Sequence, residues 1–241
     1  MKFKAAILLP VCLTLSAWSQ LTFTVPVVDK SDPGSPLEIS GTATFTEQMV
    51  ANSVTASSKF KINAGNTSGK GIVLLLAYFD EAGPHGGGTR HIIQIDYFFR
   101  RHIAPGDSVA LTPSRPGRRP SACCINPLEP PTEPTADIRV EYVQFADGSS
   151  FGEDATAEDI LASRSVILAA LRRIDRASTK EEFLKFLAQR VQPEPADNFL
   201  EVVRYTEKNH GIAAARVQIR AALTAAEGHM SALRVVQAAE R

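Results

Sequence analysis

Between residues 21 and 147 apolar positions alternate with polar ones or gather in short β-branched and aromatic runs, and Gly, Pro, Asn and Asp separate the runs. Successive side chains of an extended chain point to opposite faces, so this pattern predicts strands, at 21–28, 37–48, 53–62, 72–80, 91–100, 108–112 and 137–145. Seven short strands with turn residues between them predict an antiparallel β-sandwich of the immunoglobulin type, without the Cys and Trp hallmarks of antibody domains. The stretch 72–79 is apolar throughout and predicts a central strand covered on both faces. Its neighbour, Ile93-Gln94-Ile95-Asp96-Tyr97-Phe98, alternates and predicts one face in water.

After Phe151 Pro and Gly thin out and apolar residues recur at helical spacing. Thr156 with Asp159 reads as a capping box, after which Ile160, Ile167, Leu171 and Ile174 fall on one face. Ser178 with Glu181 reads as a second box, followed by the stripe Phe183, Leu184, Leu187 and Val191, with Pro193 and Pro195 ending that helix. Two further helices are predicted at 197–209 and 212–239, with Gly228 a candidate break in the last. These amphipathic helices are expected to pack on one another and on the sandwich. The expected fold class is therefore α+β: an antiparallel immunoglobulin-like β-sandwich followed by a C-terminal α-helical region. The sandwich is expected to fold without the helices.

Composition changes this picture at two places. The stretch 113–136 holds Pro113, Pro116, Pro120, Pro127, Pro130, Pro131 and Pro134, which predicts an extended, poorly packed loop inside the sandwich. The first residues carry Lys2 and Lys4, then an apolar run from Ala5 to Leu15, then Ala17-Trp18-Ser19, with small residues at the two positions a signal peptidase reads. Residues 1–19 are thus expected to be a signal peptide, 20–152 the sandwich and 153–241 the helical region, with Gln20 as the mature N-terminus. Cys12 is no lipidation site, because Val11 precedes it and the apolar run continues past it. No other run reaches the about 18 apolar residues of a membrane span.

Lys2 and Lys4 leave with that segment, so 24 Lys and Arg remain against 26 Asp and Glu. A protein that neutralises several phosphates normally carries a basic surplus, so nucleic acid is not an expected partner.

N-T-S-G-K-G-I at 66–72, Y-F-D-E-A-G at 78–83 and I-A-P-G-D-S at 103–108 form a layout of an Asn-rich turn, a hydrophobic strand ending in acid and Gly, and a Pro-Gly turn into a strand. This resembles exported bacterial immunoglobulin-like modules of the FxLYD and CARDB groups over the central part of the sandwich. The resemblance implies a binding, spacing or assembly role and no catalytic residue.

Candidate chemistry is sparse. A-G-N-T-S-G-K-G at 64–71 is one residue from a phosphate-binding loop, but Gly71 stands where a hydroxyl is needed and a strand follows where a helix should begin. His85 and His91, beside Asp80 and Glu81, are four candidate ligands for zinc or copper, on a loop whose Gly86-Gly87-Gly88 fixes no geometry. No G-x-S-x-G elbow occurs, His210 and His229 stand alone, and Asp80-Glu81 and Glu153-Asp154 read as a strand end and a helix start. Arg100-Arg101-His102 and Arg115, Arg118 and Arg119 are the basic clusters of the sandwich, able to receive an anionic glycan, a phosphate or an acidic protein and otherwise solvated surface.

The expectation is an exported non-catalytic protein acting through protein–protein contacts in the envelope or extracellular space, with no catalytic residue, no cofactor and no metal. The alternative is a secreted enzyme or metal-binding protein using the loop around His85 and His91. Cys123 and Cys124, the cysteines left after cleavage, are expected as disulfides. Adjacent α-carbons lie about 3.8 Å apart, below the usual range for bridged cysteines. A strained ring between them and bridges through Cys123 or Cys124 to a second copy, making a homodimer, both stay open.

Overall fold

The computed structural model describes residues 20–50, 53–84, 86–113 and 132–239. The expected signal segment 1–19 with Cys12, together with His85, Cys123, Cys124, Arg115, Arg118, Arg119 and all but the ends of the Pro-rich stretch, lies outside the described residues.

The chain is α+β, with two antiparallel-rich sheets and a C-terminal helical region. Strands β1 (Gln20–Pro26), β3 (Leu37–Val50), β4 (Ser53–Asn66) and β7 (Ser108–Leu111) form the first sheet in the order β1-β3-β4-β7. Strands β2 (Val28–Asp29), β8 (Thr135–Phe145), β5 (Ile72–Gly83) and β6 (Gly86–Asp96) form the second in the order β2-β8-β5-β6, with β9 (Ser150–Gly152) beside β8. Only β2 with β8 runs parallel among the described pairings. The chain passes to the second sheet between Pro26 and Val28, with the Val27 N–H still donating to the Gly41 carbonyl of β3.

Phe45, Ile62 and Ala64 of the first sheet meet Leu75, Phe79, Ile93 and Ile138 of the second in one buried cluster. Phe60 stands edge-on to Phe79 with centroids 4.8 Å apart. β5 is covered on both sides, as its unbroken apolar run predicts: Leu75, Ala77 and Phe79 face the shared core, while Leu74 and Leu76 lie with Tyr142 beneath Ala157 and Ile160. On β8 the pairing with β5 skips Glu141, a bulge that lets Val140 and Val143 both face inward despite their odd spacing. β6 alternates, with His91 and Ile93 buried and Ile92 and Gln94 exposed.

A 3-10 turn (Asp154–Ala157) leads into α1 (Glu158–Asp175), followed by α2 (Lys180–Leu187) and α3 (Glu194–Ala239). Ile160, Ile167, Leu171 and Ile174 are all buried, as their spacing predicts, the last three in one cluster and Ile160 with Leu74, Leu76 and Tyr142. The capping expectations need correction. The 3-10 turn takes up Thr156, so α1 starts from Ala157 with no side-chain cap. The box of α2 sits one residue later than read: Thr179 Oγ1 accepts from the Glu182 amide, and Glu182 accepts from the Ser178 amide and hydroxyl. Pro193 and Pro195 do not end α2, which stops at Leu187; Pro195 enters the first turn of α3, where a missing N–H costs nothing. α3 is two helices meeting at Gly211, whose φ of 82° and ψ of 171° are non-helical, and the expected break at Gly228 does not occur.

The helices lie on the outer side of the second sheet. Their buried cluster takes in Val73, Phe98 and Phe99, and Phe99 packs 4.8 Å from the ring of Phe199. β6 ends at Asp96, so Phe98 and Phe99, read from sequence as strand, leave the ladder and insert among the helices. Arg164, on the buried stripe of α1, pairs with Asp96, donates to Gln144 and lies 4.5 Å over the ring of Phe98. Among the described residues no helix is long and apolar enough to cross a membrane.

Candidate functional site

One end of the sheet pair is organised by Asn66, the last residue of β4, whose side chain is 2 % exposed. Its amide nitrogen donates to the carbonyls of Lys70 at 2.8 Å and Ile103 at 3.1 Å, and its oxygen accepts from the Ser68 amide and hydroxyl. Its backbone N–H donates to the Asp107 carbonyl and its own carbonyl accepts from Gly106 N–H, both at 2.9 Å. Every polar group of one residue is thus spent on joining the β4–β5 turn to the β6–β7 loop. Ile72 and Ile103 exchange backbone hydrogen bonds beside it, and Thr67 donates to the Pro36 carbonyl.

Lys70 of the phosphate-loop-like stretch is committed to the same structure. Its ammonium lies 2.7 Å from Asp147 and 2.8 Å from the Ser149 hydroxyl. Burial pushes the Asp147 carboxyl up, but hydrogen bonds from Lys70 and Ser149 outweigh it and hold it below the usual range. With β5 following the turn, these residues form a strand connection and no helix N-terminus.

Against this rigid end lies a cleft of about 510 Å³, lined by Tyr97, Arg101, His102, Asp107 and Ser108, with Ile103 and Val109 as its apolar part. Two neighbours flank the His102 ring. Gly71 supports one side: a Cβ there would stand 2.4 Å from His102 Cδ2, so any other residue would push the imidazole from its present position. His229 of α3 stands on another side, the rings edge to face with centroids 5.8 Å apart. His229 Nε2 lies 3.2 Å from the Arg100 carbonyl, an acceptor only, so that nitrogen carries a proton. The His229 ring also stacks on Phe98. Burial lowers the His102 pKa below the ordinary histidine value, and His229 and Arg101 lower it further while Asp107 pulls it back. Burial likewise raises the Tyr97 phenol, which Arg100 partly offsets.

The sequence singled out Arg100-Arg101-His102 as a cluster but could not supply its partner, His229, which the fold brings from 127 positions further along the chain. Arg101 and His102 enter the cleft, whereas Arg100 contributes its carbonyl to His229.

Of the candidate metal ligands, Asp80, Glu81 and His91 lie among the described residues, and Asp80 points away from the other two. Asp80 faces outward and is held by Arg90 through two hydrogen bonds of 2.7 and 2.9 Å, the main cause of its lowered pKa. Glu81 faces inward and meets the buried His91 at 2.9 Å, with Ser58 donating to the same carboxylate oxygen at 3.5 Å. His91 also packs between the rings of Phe60 and Phe79. Among the described residues no three His, Cys, Asp or Glu side chains converge as a metal site. His210 is exposed on α3.

A second depression of about 390 Å³ lies among the helices, lined by Val166, Ala170, Phe186, Val191 and Leu200. Arg173 lies 4.2 Å over the Phe186 ring at its edge.

No family model, curated protein or solved structure matches this chain.

Proposed function

We propose that this chain is an exported, non-catalytic binding protein, an immunoglobulin-like β-sandwich akin to the FxLYD and CARDB modules, that works in the cell envelope or outside the cell through contacts with another protein. The cleft beside Arg101 and His102 is its contact surface. The observation that carries this reading is the way Asn66 saturates its hydrogen bonds to hold the loops around that cleft. Recognition residues work best on loops whose conformation is fixed before the partner arrives, because little ordering entropy is then lost on binding.

Photo-crosslinking in intact cells from a reactive residue at Ser108, with a second at Thr24 on the opposite part of the first sheet as control, tests the contact. A defined protein captured at Ser108 and not at Thr24 is expected; equal capture at both positions overturns the reading. Export is tested on the same material, since the mature protein should begin at or near Gln20 in a periplasmic or extracellular fraction, and intact Met1 in the cytosol would refute it. Stoichiometric zinc or copper in natively purified protein, lost on replacing His85 and His91 by Ala, would favour the secreted enzyme or metal-binding alternative instead.

A further inference from the structure

Arg90, Arg139, Arg164, Arg190, Arg204 and Arg220 each meet a carboxylate. Arg101 shares the lack of a carboxylate partner with Arg100, Arg172, Arg173, Arg176 and Arg216 among the described residues, and of these it is the one that lines the cleft, where it is exposed. Beside it the His102 ring rests against Gly71 and stands edge to face with His229. The titratable and charged groups around that ring are Arg101, Tyr97 and Asp107 from its own loop and His229 from α3. Lys70, next to Gly71, is tied to Asp147.

This arrangement resists a second positive charge on its own and accepts one when an anion arrives. Asp107 is the one carboxylate among the lining residues, too little to offset Arg101 together with a charged imidazole. The Ser108 hydroxyl and the Tyr97 phenol complete the polar lining as neutral hydrogen-bond donors. We propose that the cleft is a proton-coupled oxyanion site, in which Arg101 and a protonated His102 together hold a carboxylate, sulfate or phosphate group and one proton is taken up with the anion. The proposal rests on the reading of this cleft as the contact surface, and it names the group that a partner or a free ligand must present. A guanidinium supplies planar paired donors and an imidazolium a third, the usual equipment for an oxyanion. By linkage, whatever anion favours the charged His102 also binds more tightly as pH falls.

The test uses the intact mature protein and the histidine Cε1 proton signals in NMR. Sulfate serves as the probe because it does not titrate between about pH 5 and 8, where histidine does. Sulfate at tens of millimolar is expected to raise the His102 titration midpoint relative to chloride at equal ionic strength. Its affinity is expected to rise on acidification, approaching about tenfold per pH unit where a full proton is taken up. Arg101→Ala, an exposed position, should keep the melting temperature and weaken sulfate about tenfold, the loss of one charge-assisted contact. His102→Gln assigns the signal and should leave residual binding with no pH dependence. A short acidic peptide in place of sulfate separates the sources: tighter binding than sulfate assigns the oxyanion to a protein partner, and equal binding assigns it to a free anion. Sulfate acting no differently from chloride, or undiminished in Arg101→Ala, overturns the proposal. Crosslinking at Ser108 without any sulfate effect would remove the anion chemistry and keep the contact surface; a sulfate effect without crosslinks would do the reverse.

Discussion

Arg164 of α1 grips Asp96 at the end of β6 through two hydrogen bonds, Nε to Oδ2 at 3.0 Å and Nη2 to Oδ1 at 2.9 Å, with the two side chains only 8 % and 19 % exposed. The same guanidinium reaches Gln144 on β8 and covers Phe98, so one side chain fastens the helical region to two strands and a loop. Removing one member of a buried pair leaves the other charged and unpartnered, at about 3–5 kcal/mol. Arg164→Ala is therefore expected to lose about that much in urea unfolding, and Arg164→Met with Asp96→Asn to recover most of it. A loss under about 1 kcal/mol, the worth of an exposed pair, would mean the contact is ornamental.

The helices also finish the second sheet. Val73, Leu74, Leu76, Phe98, Phe99 and Tyr142 are each at most 5 % exposed on their side of it. At roughly 1.5–3 kcal/mol for each buried side chain, uncovering them forfeits on the order of 10 kcal/mol, comparable to the whole stability of a domain. The strand pattern alone suggested a sandwich that stands without its helices; this face predicts otherwise. A chain truncated after Phe151 is expected to show no cooperative melting by calorimetry, and a sharp transition near that of the full chain would show the sheets to be self-sufficient.

Asn66→Ala deletes four side-chain hydrogen bonds at once, leaving the Lys70 carbonyl with the Ser68 hydroxyl and the Ile103 carbonyl with the Ile72 amide as their donors. A cost of about 2–3 kcal/mol is expected, with faster amide exchange across residues 103–107. Asn66→Asp should do no better, since a carboxylate would then face those two carbonyls. Unchanged exchange in both variants would show that the loops hold their shape by packing alone.

Asp197 gives the acid limb of stability a specific source. Burial alone would raise its carboxyl, but hydrogen bonds from Arg204, Arg190 and the Val191 amide bring it down to about 2 from an ordinary value of 3.8. A group depressed in the folded state stabilises fully above its unfolded value and loses that contribution as pH falls through the folded one. Urea midpoints should thus fall between pH 3.8 and about 2, and Asp197→Asn should flatten that part of the profile while lowering stability at neutral pH. An identical acid slope in the variant would place the source elsewhere.

Cys123 and Cys124 offer a test that needs only exported protein. Non-reducing electrophoresis distinguishes the two disulfide forms, a monomer indicating the adjacent ring and a dimer indicating bridges between copies. Effective concentration favours the ring. Alkylation that labels both thiols in natively exported material would end the disulfide expectation.

The strands were legible because their grammar is local. The unbroken run at 72–79 declared a strand covered twice, and Leu74, Leu76, Leu75 and Phe79 divide between two interiors as that requires. The short β2 and β9 were not legible, since two or three residues carry no period. Arg164 was missed for a different reason: on an amphipathic pattern an arginine reads as the edge of the stripe, and only Asp96, 68 residues earlier, makes its burial tolerable. The cleft was half visible, as Arg101 and His102 stood out by charge while Gly71 and His229 acquire their meaning from the ring packed between them. The cap of α2 slipped by one residue because two hydroxyl-bearing residues stand side by side, Thr179 accepting from the Glu182 amide and Ser178 donating to the Glu182 carboxylate.

Arg204 donates to the carbonyls of Leu187 and Gln189 at the end of α2, and Arg216 donates to those of Asp175 and Ala177 at the end of α1. Beside their own backbone bonds, the ends of α1 and α2 thus each have two carbonyls satisfied by an arginine of α3. Without α3 those four carbonyls would turn to water, so a chain halted before Arg204 is expected to exchange amides faster and to be cut sooner by proteases at the ends of α1 and α2 than the full chain.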